Sequence, residues 1–499
     1  MNFHIDFGIV ASLVVYLIFM ITIGMYFYNK NNTPADYFLG NRKLGSWVTS
    51  MSAQASDMSG WLLMGLPGAV YASGLLEGWT AVGLAVGTYL NWLFIAKRLR
   101  QYTKVAGDAI TLPQFFTNRF RDNTGLLRIL PAVYILIFYA FYVGSGFLAG
   151  SKLFSMIFGM DTGLALFLTV LVIVAYTFAG GYLAVCWTDF FQGLLMFCAI
   201  IIVPCAAIAS IGGFGLTMAK VAAFNPNILN PLTDLSGNFL PMITVVSCLS
   251  WGLGYVGQPH IIVRFMSIGK PSLIKKSRRI ATVWVIFSLI CAVLIGIVGR
   301  AFIPGDISST ANETLYITMV LDLFPGVIAG LLLAALLAAI MSTADSQLLV
   351  SSSAIASDLY KSLFHKEASG KAQTWIGRIT VLVIALVAAF LAMNQANTIY
   401  ALVAYAWAGL GATFGPTVIF SLYWKRMNLA GAIAGVFSGG AVAIIWRMFL
   451  KPLGGIFGLF EIIPAFLVSS ALIVIVSLCT KAPSQEILDE FDRYTSCKD

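Results

Sequence analysis

The sequence predicts an all-α polytopic membrane protein of about 13 transmembrane helices, built around two five-helix repeats of opposite orientation. Three observations predict it. Of 499 residues, 59% are hydrophobic and 10% charged, against about 25% charged in a soluble domain, and the mean hydropathy is +0.89. Apolar runs near the roughly 20 residues that cross a bilayer recur from end to end. Two of these runs, the second and the seventh, carry polar and helix-breaking residues at their centres.

In order, the spans are expected near 8–28, 46–75, 79–96, 129–158, 163–183, 189–212, 239–263, 280–303, 321–358, 375–394, 397–424, 428–446 and 455–480. Residues 1–45 hold the first helix and a loop. The first repeat covers 46–212, and the second, with its connecting loop, 213–425. Two trailing helices and a short polar tail fill 426–499. The span at 321–358 exceeds the bilayer, which predicts tilt or a helical extension. Basic residues set the expected orientation. With the N-terminus outside, only Lys152, Lys220, Arg300, Arg447 and Lys451 of the 30 Lys and Arg fall outside, and the C-terminus is cytoplasmic. The N-terminus shows no basic n-region and no cleavage signal, so the first run is expected to be a retained span.

The net charge of +9 lies in these loops and does not indicate nucleic-acid binding. The cysteines show no CxxC pair. Those within or beside apolar spans, Cys186 to Cys479, read as small buried hydrophobes. No stretch is long enough for a soluble enzyme or signalling domain, and no Walker A motif is present. An enzyme and an ATP-driven pump are both disfavoured.

Asp57 lies mid-span within Ser52-Ala53-Gln54-Ala55-Ser56-Asp57-Met58-Ser59-Gly60-Trp61. An ionised Asp there costs roughly 2.5–3.5 kcal/mol on insertion scales, so it is expected to face a cavity or a partner. The bland alternative is a Lys or Arg on a neighbouring helix. The seventh span carries Ser250-Trp251-Gly252-Leu253-Gly254-Tyr255-Val256-Gly257-Gln258-Pro259-His260. Pro removes a backbone bond and Gly loosens the turn; its bland alternative is close packing at small residues. Two breaks at corresponding positions of two halves point to a secondary transporter with inverted repeats. Half-helix N–H groups near Ser59 and Gly60 suit a carboxylate, and freed carbonyls suit a small hard cation. Ser342 and Thr343 in the ninth span offer hydroxyls to that cation, although such groups often bond back to their own helix. Asp345 and Asp189 are further intramembrane acids. Together they could hold a second cation or a proton, while Asp189, at a span end, could instead be wetted.

Several stretches resemble the sodium:solute symporter family: Leu39-Gly40-Asn41-Arg42-Lys43-Leu44-Gly45, the run from Ser56 to Val70, Trp187-Thr188-Asp189, Trp251 to Tyr255 with Gly257 to His260, Met341-Ser342-Thr343, and Ala404 to Gly409. The run after Asp57 resembles the bacterial sodium/proline branch. The resemblance spans about 36–483. It implies a leucine-transporter-like five-plus-five core and Na⁺-coupled uptake of L-proline across a bacterial plasma membrane by alternating access. It implies carbonyls of Ala55, Met58 and Ala339 and hydroxyls of Ser342 and Thr343 around Na⁺, with Asp57 in electrostatic support. Trp61, Tyr142, Trp251, Tyr255 and Pro259 would shape the solute pocket, and Arg42 and Asp189 would influence coupling. Some relatives with a second sodium carry hydroxyls where Asp345-Ser346 stands here, which leaves one or two ions open. A single copy is expected to suffice for transport, with the oligomeric state open. The alternatives are another small solute such as pantothenate, or a sensor or channel that kept the fold.

Overall fold

The computed structural model describes residues 6–28, 39–179, 181–303, 311–364, 369–394 and 396–496. Its helices are α1 (Phe7–Tyr28), α2 (Ser46–Asp57), α3 (Trp61–Ser73), α4 (Leu75–Val105), α5 (Leu112–Phe120), α6 (Leu126–Phe158), α7 (Thr162–Ala179), α8 (Tyr182–Ile211), α9 (Phe214–Phe224), α10 (Met242–Gly257), α11 (Pro259–Ser267), α12 (Pro271–Phe302), α13 (Leu315–Leu323), α14 (Gly326–Tyr360), α15 (Gly370–Ala392), α16 (Ile399–Tyr423), α17 (Leu429–Leu453), α18 (Ile462–Cys479) and α19 (Gln485–Ser496). Among the described residues, ten helices are long and apolar enough to cross a membrane. The other three expected spans are α7 and the two broken ones, α2 with α3 and α10 with α11. Large apolar side chains such as Ile18, Leu171, Phe287, Phe390 and Leu467 are exposed around the bundle, where a bilayer would cover them.

Both breaks have local causes. Asp57-Met58-Ser59-Gly60 is poor helix material, because Asp and Ser bond the backbone outside helices. Met58 leaves the helix at φ −85°, ψ 75°. The chain resumes as a π turn, Trp61–Gly65. In the seventh span, Pro259 forces the preceding residue out of the α region. Gln258 is extended at φ −90°, ψ 105°, and Pro259 opens α11.

The glycines of α10 also answer to packing. A Cβ on Gly252 would lie 2.3 Å from the Gly83 carbonyl oxygen of α4, and one on Gly254 would lie 1.9 Å from Trp407 Nε1 of α16. The close-packing alternative therefore explains the glycines, while Gln258 and Pro259 make the break.

Four expectations change. α8 begins at Tyr182, not 189, so Asp189 lies inside the helix and is fully buried. α14 begins at Gly326, after Pro325, and α13 is separate. Of the six described cysteines only Cys186 is buried; Cys198, Cys205 and Cys479 are exposed, because an apolar thiol can face lipid as readily as protein. The polar tail forms α19, whose Glu486 and Glu490 pair with Arg121 while Tyr494 stacks on Tyr102 at 4.2 Å.

Gly252→Val should cost about 1–3 kcal/mol through overpacking, read as a lower Tm of the purified protein. Gly24→Val, on α1 with open space around it, should leave Tm unchanged.

Candidate functional site

The two breaks meet. Asp57 is fully buried, and its Oδ2 accepts from the Tyr255 hydroxyl at 2.5 Å. Its partner is thus neither Lys nor Arg but a phenol on the other broken helix. The Asp57 carbonyl accepts from Trp61 Nε1 at 3.1 Å and from the Tyr142 hydroxyl of α6 at 3.2 Å. Asp57 Oδ1 has no hydrogen-bond partner among the described residues.

The last carbonyls of a helix have no intrahelical donor. In α2 those of Ala55 and Asp57 are taken by other elements. The Ala55 carbonyl accepts from Ser342 Oγ at 2.8 Å and Thr343 Oγ1 at 3.4 Å, and Ser342 Oγ also reaches the Ala339 carbonyl at 3.3 Å. Oxygens of the kind a small hard cation wants, two hydroxyls and two carbonyls, converge between α2 and α14. Met58 is buried at the break beside them. Ser59 is turned to its own half-helix, accepting from Trp61 N at 3.4 Å and Leu62 N at 3.0 Å. Gly60 presses on α6, where an added Cβ would lie 2.8 Å from that of Ala149.

An aromatic cluster surrounds the Asp57–Tyr255 contact. Trp61 and Trp251 have ring centroids 6.2 Å apart, and Trp251 also packs on Tyr400 at 5.2 Å, Phe460 at 5.3 Å and Trp407 at 6.3 Å. Tyr255 meets Trp407 edge-on at 5.0 Å. Of these rings, sequence reading missed Tyr400 and Phe460, which sit beyond any polar break; Trp407 lies in the Ala404 to Gly409 stretch that resembles the family but had no expected role. Pro259 stands apart from the cluster, lining a cavity toward the basic end of the bundle with Arg264 and Ser346.

Two tethers close the ends. At one, Glu313 holds Lys152 at 2.6 Å and the Tyr400 backbone N–H at 3.0 Å, and the Tyr400 hydroxyl donates to Glu77 at 3.1 Å. At the basic end, Arg42 donates to the Met266 carbonyl at 2.5 Å, the Ala109 carbonyl and Asp108 at 2.9 Å each, and Thr103 at 3.3 Å. Asn41 and Arg42 hold φ of 53° and 54°, which costs roughly 1–3 kcal/mol each for such residues and is offset by these bonds. Burial pulls the Arg42 guanidinium below its usual value, and the neighbouring Asp108 opposes that shift.

The remaining acids gather around an arginine. Arg264, expected in a loop, lies in α11, four residues after His260, and is 1% exposed. Its Nη2 donates to Asp189 Oδ2 at 3.0 Å and to Ser346 Oγ at 2.6 Å, its Nε to Ser52 Oγ at 3.0 Å, and its Nη1 to the His260 carbonyl at 2.6 Å. Ser346 in turn reaches Asp345 Oδ1 at 3.3 Å. One cation thus faces two buried acids, and Asp189 Oδ1 and Asp345 Oδ2 lack partners among the described residues. Arg264→Gln should cost about 3–5 kcal/mol by stranding Asp189, seen as lost Tm. Adding Asp189→Asn should recover part of it, and no recovery would contradict the pairing.

Residues 37–439 match the family model for the sodium:solute symporter family. The chain is 47% identical over 477 residues to the high-affinity proline transporter PutP of Bacillus subtilis, covering 95% of this chain and 99% of that protein. It is 47% identical over 479 residues to a sodium/proline symporter of Staphylococcus aureus, covering 94% and 92%. Among solved structures, a Na⁺-coupled sialic acid symporter in a substrate-bound outward-open state superposes with TM-score 0.79 at 19% identity, over 96% of this chain and 99% of that one. Mhp1, a nucleobase-cation-symport-1 family transporter, gives 0.54 at 14%, over 93% and 99%. These likenesses show the fold expected from the paired breaks, all-α and leucine-transporter-like. Matched over most of its length by the family model and over nearly all of it by close relatives, the chain belongs to the sodium:solute symporter family.

Proposed function

We propose that this protein imports L-proline by Na⁺ symport through alternating access. The observation that carries the reading is the Asp57–Tyr255 contact, which joins the two breaks within one helix of the Ser342–Ala55 contact. The relatives' names supply the solute; the site supplies chemistry that suits it. Proline has a small apolar ring, a cationic nitrogen and a carboxylate. Trp61, Trp251 and Tyr255 offer faces that pack the ring and attract the cation, with Tyr142 beside them and Pro259 below. The half-helix start at Ser59 and Gly60 favours the carboxylate.

Na⁺ is assigned to the Ala55 and Ala339 carbonyls, the Met58 carbonyl beside them, and the Ser342 and Thr343 hydroxyls, with Asp57 supplying the nearby negative charge. A ligand shifts an equilibrium only by its differential affinity for the two states. Because α2 and α14 both contribute oxygens, Na⁺ would draw them together and set the break that holds the solute. A second cation or a proton has its place beside Asp345 and Ser346, since Arg264 already neutralises Asp189. Arg42 serves as a gate at the basic end, which the charge bias assigns to the cytoplasm, with the N-terminus outside and a bacterial plasma membrane around the bundle. The repeats are taken as 46–212 and 213–425, and one copy suffices for the cycle.

The test is radiolabelled L-proline uptake into proteoliposomes with and without an inward Na⁺ gradient. Uptake should require the gradient and disappear in Asp57→Ala. Ser342→Ala combined with Thr343→Ala should raise the Na⁺ concentration for half-maximal uptake by about tenfold or more, the effect of roughly 1.4 kcal/mol, and change proline recognition far less. An unchanged Na⁺ dependence would overturn the ion site. No uptake by folded protein under any ion gradient would overturn the solute.

A further inference from the structure

We propose that the chain holds a separate position for a small monovalent cation at its cytoplasmic mouth, with the Asp358 carboxylate as ligand and the Thr111 hydroxyl as its anchor; this rests on the Na⁺-coupled reading above.

The cavity beneath Pro259 supports it. Its inner end is lined by Arg264 and Ser346, and its outer end by Thr111, Leu112 and Asp358. It has about 30 Å³ of space open to water, enough for roughly two molecules. That admits a partly hydrated ion and excludes an amino acid. Asp358 is 3% exposed. Its Oδ1 accepts from Thr111 Oγ1 at 2.8 Å, and its Oδ2, also buried, has no hydrogen-bond partner among the described residues. A buried carboxylate oxygen left without a donor is costly, and a cation in the cavity would satisfy it. Arg128 acts on Asp358 only at longer range, without a hydrogen bond.

The inner end does not repel such an ion. Arg264 spends its donors on Asp189, Ser346, Ser52 and the His260 carbonyl. Asp345, bonded to Ser346, adds a further acid next to the inner end. The cavity reaches from Arg264 and Ser346, which bond Asp189 and Asp345, to Asp358 near the end of α14. The competing explanation is structural. Thr111 caps α5 by accepting from Gln114 N at 3.1 Å, and its bond to Asp358 ties α5 to the end of α14.

The experiment separates the two by sidedness. Proteoliposomes of uniform orientation are loaded with increasing Na⁺ on the cytoplasmic face, ionic strength being held with choline, and the Na⁺ concentration that half-inhibits L-proline uptake is measured. The wild-type protein must first show Na⁺-driven uptake; failure there strikes the proposed function and not this site. In Asp358→Asn the half-inhibiting cytoplasmic Na⁺ concentration should rise about tenfold, as expected for loss of one ion–carboxylate contact, and Asp358→Glu should restore most of it. Thr111→Val keeps the carboxylate but frees it from its anchor, and should shift the same quantity in the same direction by less, which keeps the proposal open to refutation where Asp358→Asn fails to fold. Cytoplasmic half-inhibition equal to wild type in the folded variants, or equal shifts on both faces, would overturn it.

Discussion

The rest of the site depends on one contact, the Tyr255 hydroxyl donating to the buried Asp57 carboxylate. A carboxylate in a low-dielectric interior has to find donors or lose its charge. The donor here comes from the other broken helix, so a hydrogen bond joins the two breaks beside the Trp61–Trp251 ring contact. The same residue's carbonyl collects Trp61 and Tyr142. Asp57 therefore gathers Trp61 and Tyr142 through its backbone and joins the two broken helices through its side chain. Any movement that separates α2 from α10 must replace that donor, which gives a transport cycle a discrete step rather than a continuous slide.

A second polar centre lies one helix away and obeys a different logic. Arg264 and Asp189 form a buried ion pair, whose desolvation can exceed its Coulombic gain unless further bonds complete it. Ser52, Ser346 and the His260 carbonyl supply those bonds. Ser52 lies on α2 and Ser346 on α14, the two helices that contribute the proposed ion oxygens. The arginine consequently bridges the two helices. Asp345, bonded to Ser346, brings a second buried acid to this centre.

The ends of the bundle are closed by unlike means. Arg42 grips backbone carbonyls at the basic end, a rigid closure resting on left-handed backbone. At the opposite end, Tyr400 hangs between Glu313 and Glu77 while its ring packs on Trp251. Phe460, which follows the trailing helix α17, completes that wall, and it is backed by Glu461 paired with Arg447 and Lys451. The segment between α17 and α18 thus reaches the aromatic cluster around Trp251.

The sequence by itself determined what depends on short-range chemistry. Apolar runs marked the helices. Pro259 forced Gln258 out of the helix, and Asp57-Met58-Ser59-Gly60 ended α2, because both effects act within a few residues of backbone. The Ser342-Thr343 pair was legible as neutral oxygen ligands within the ninth span. Only the tertiary structure decided which groups those donors meet. Tyr255 is 198 residues from Asp57, and nothing local distinguishes it from a packing tyrosine. Arg264 read as a loop cation until α11 carried it into the interior beside Asp189. Phe460 and Tyr400 carried no signal, because an aromatic in an apolar sequence declares its partner only when the helices are packed. Hydropathy and backbone sterics fix where helices run and break, whereas a buried charge is assigned by whichever distant side chain the packing brings within 3 Å.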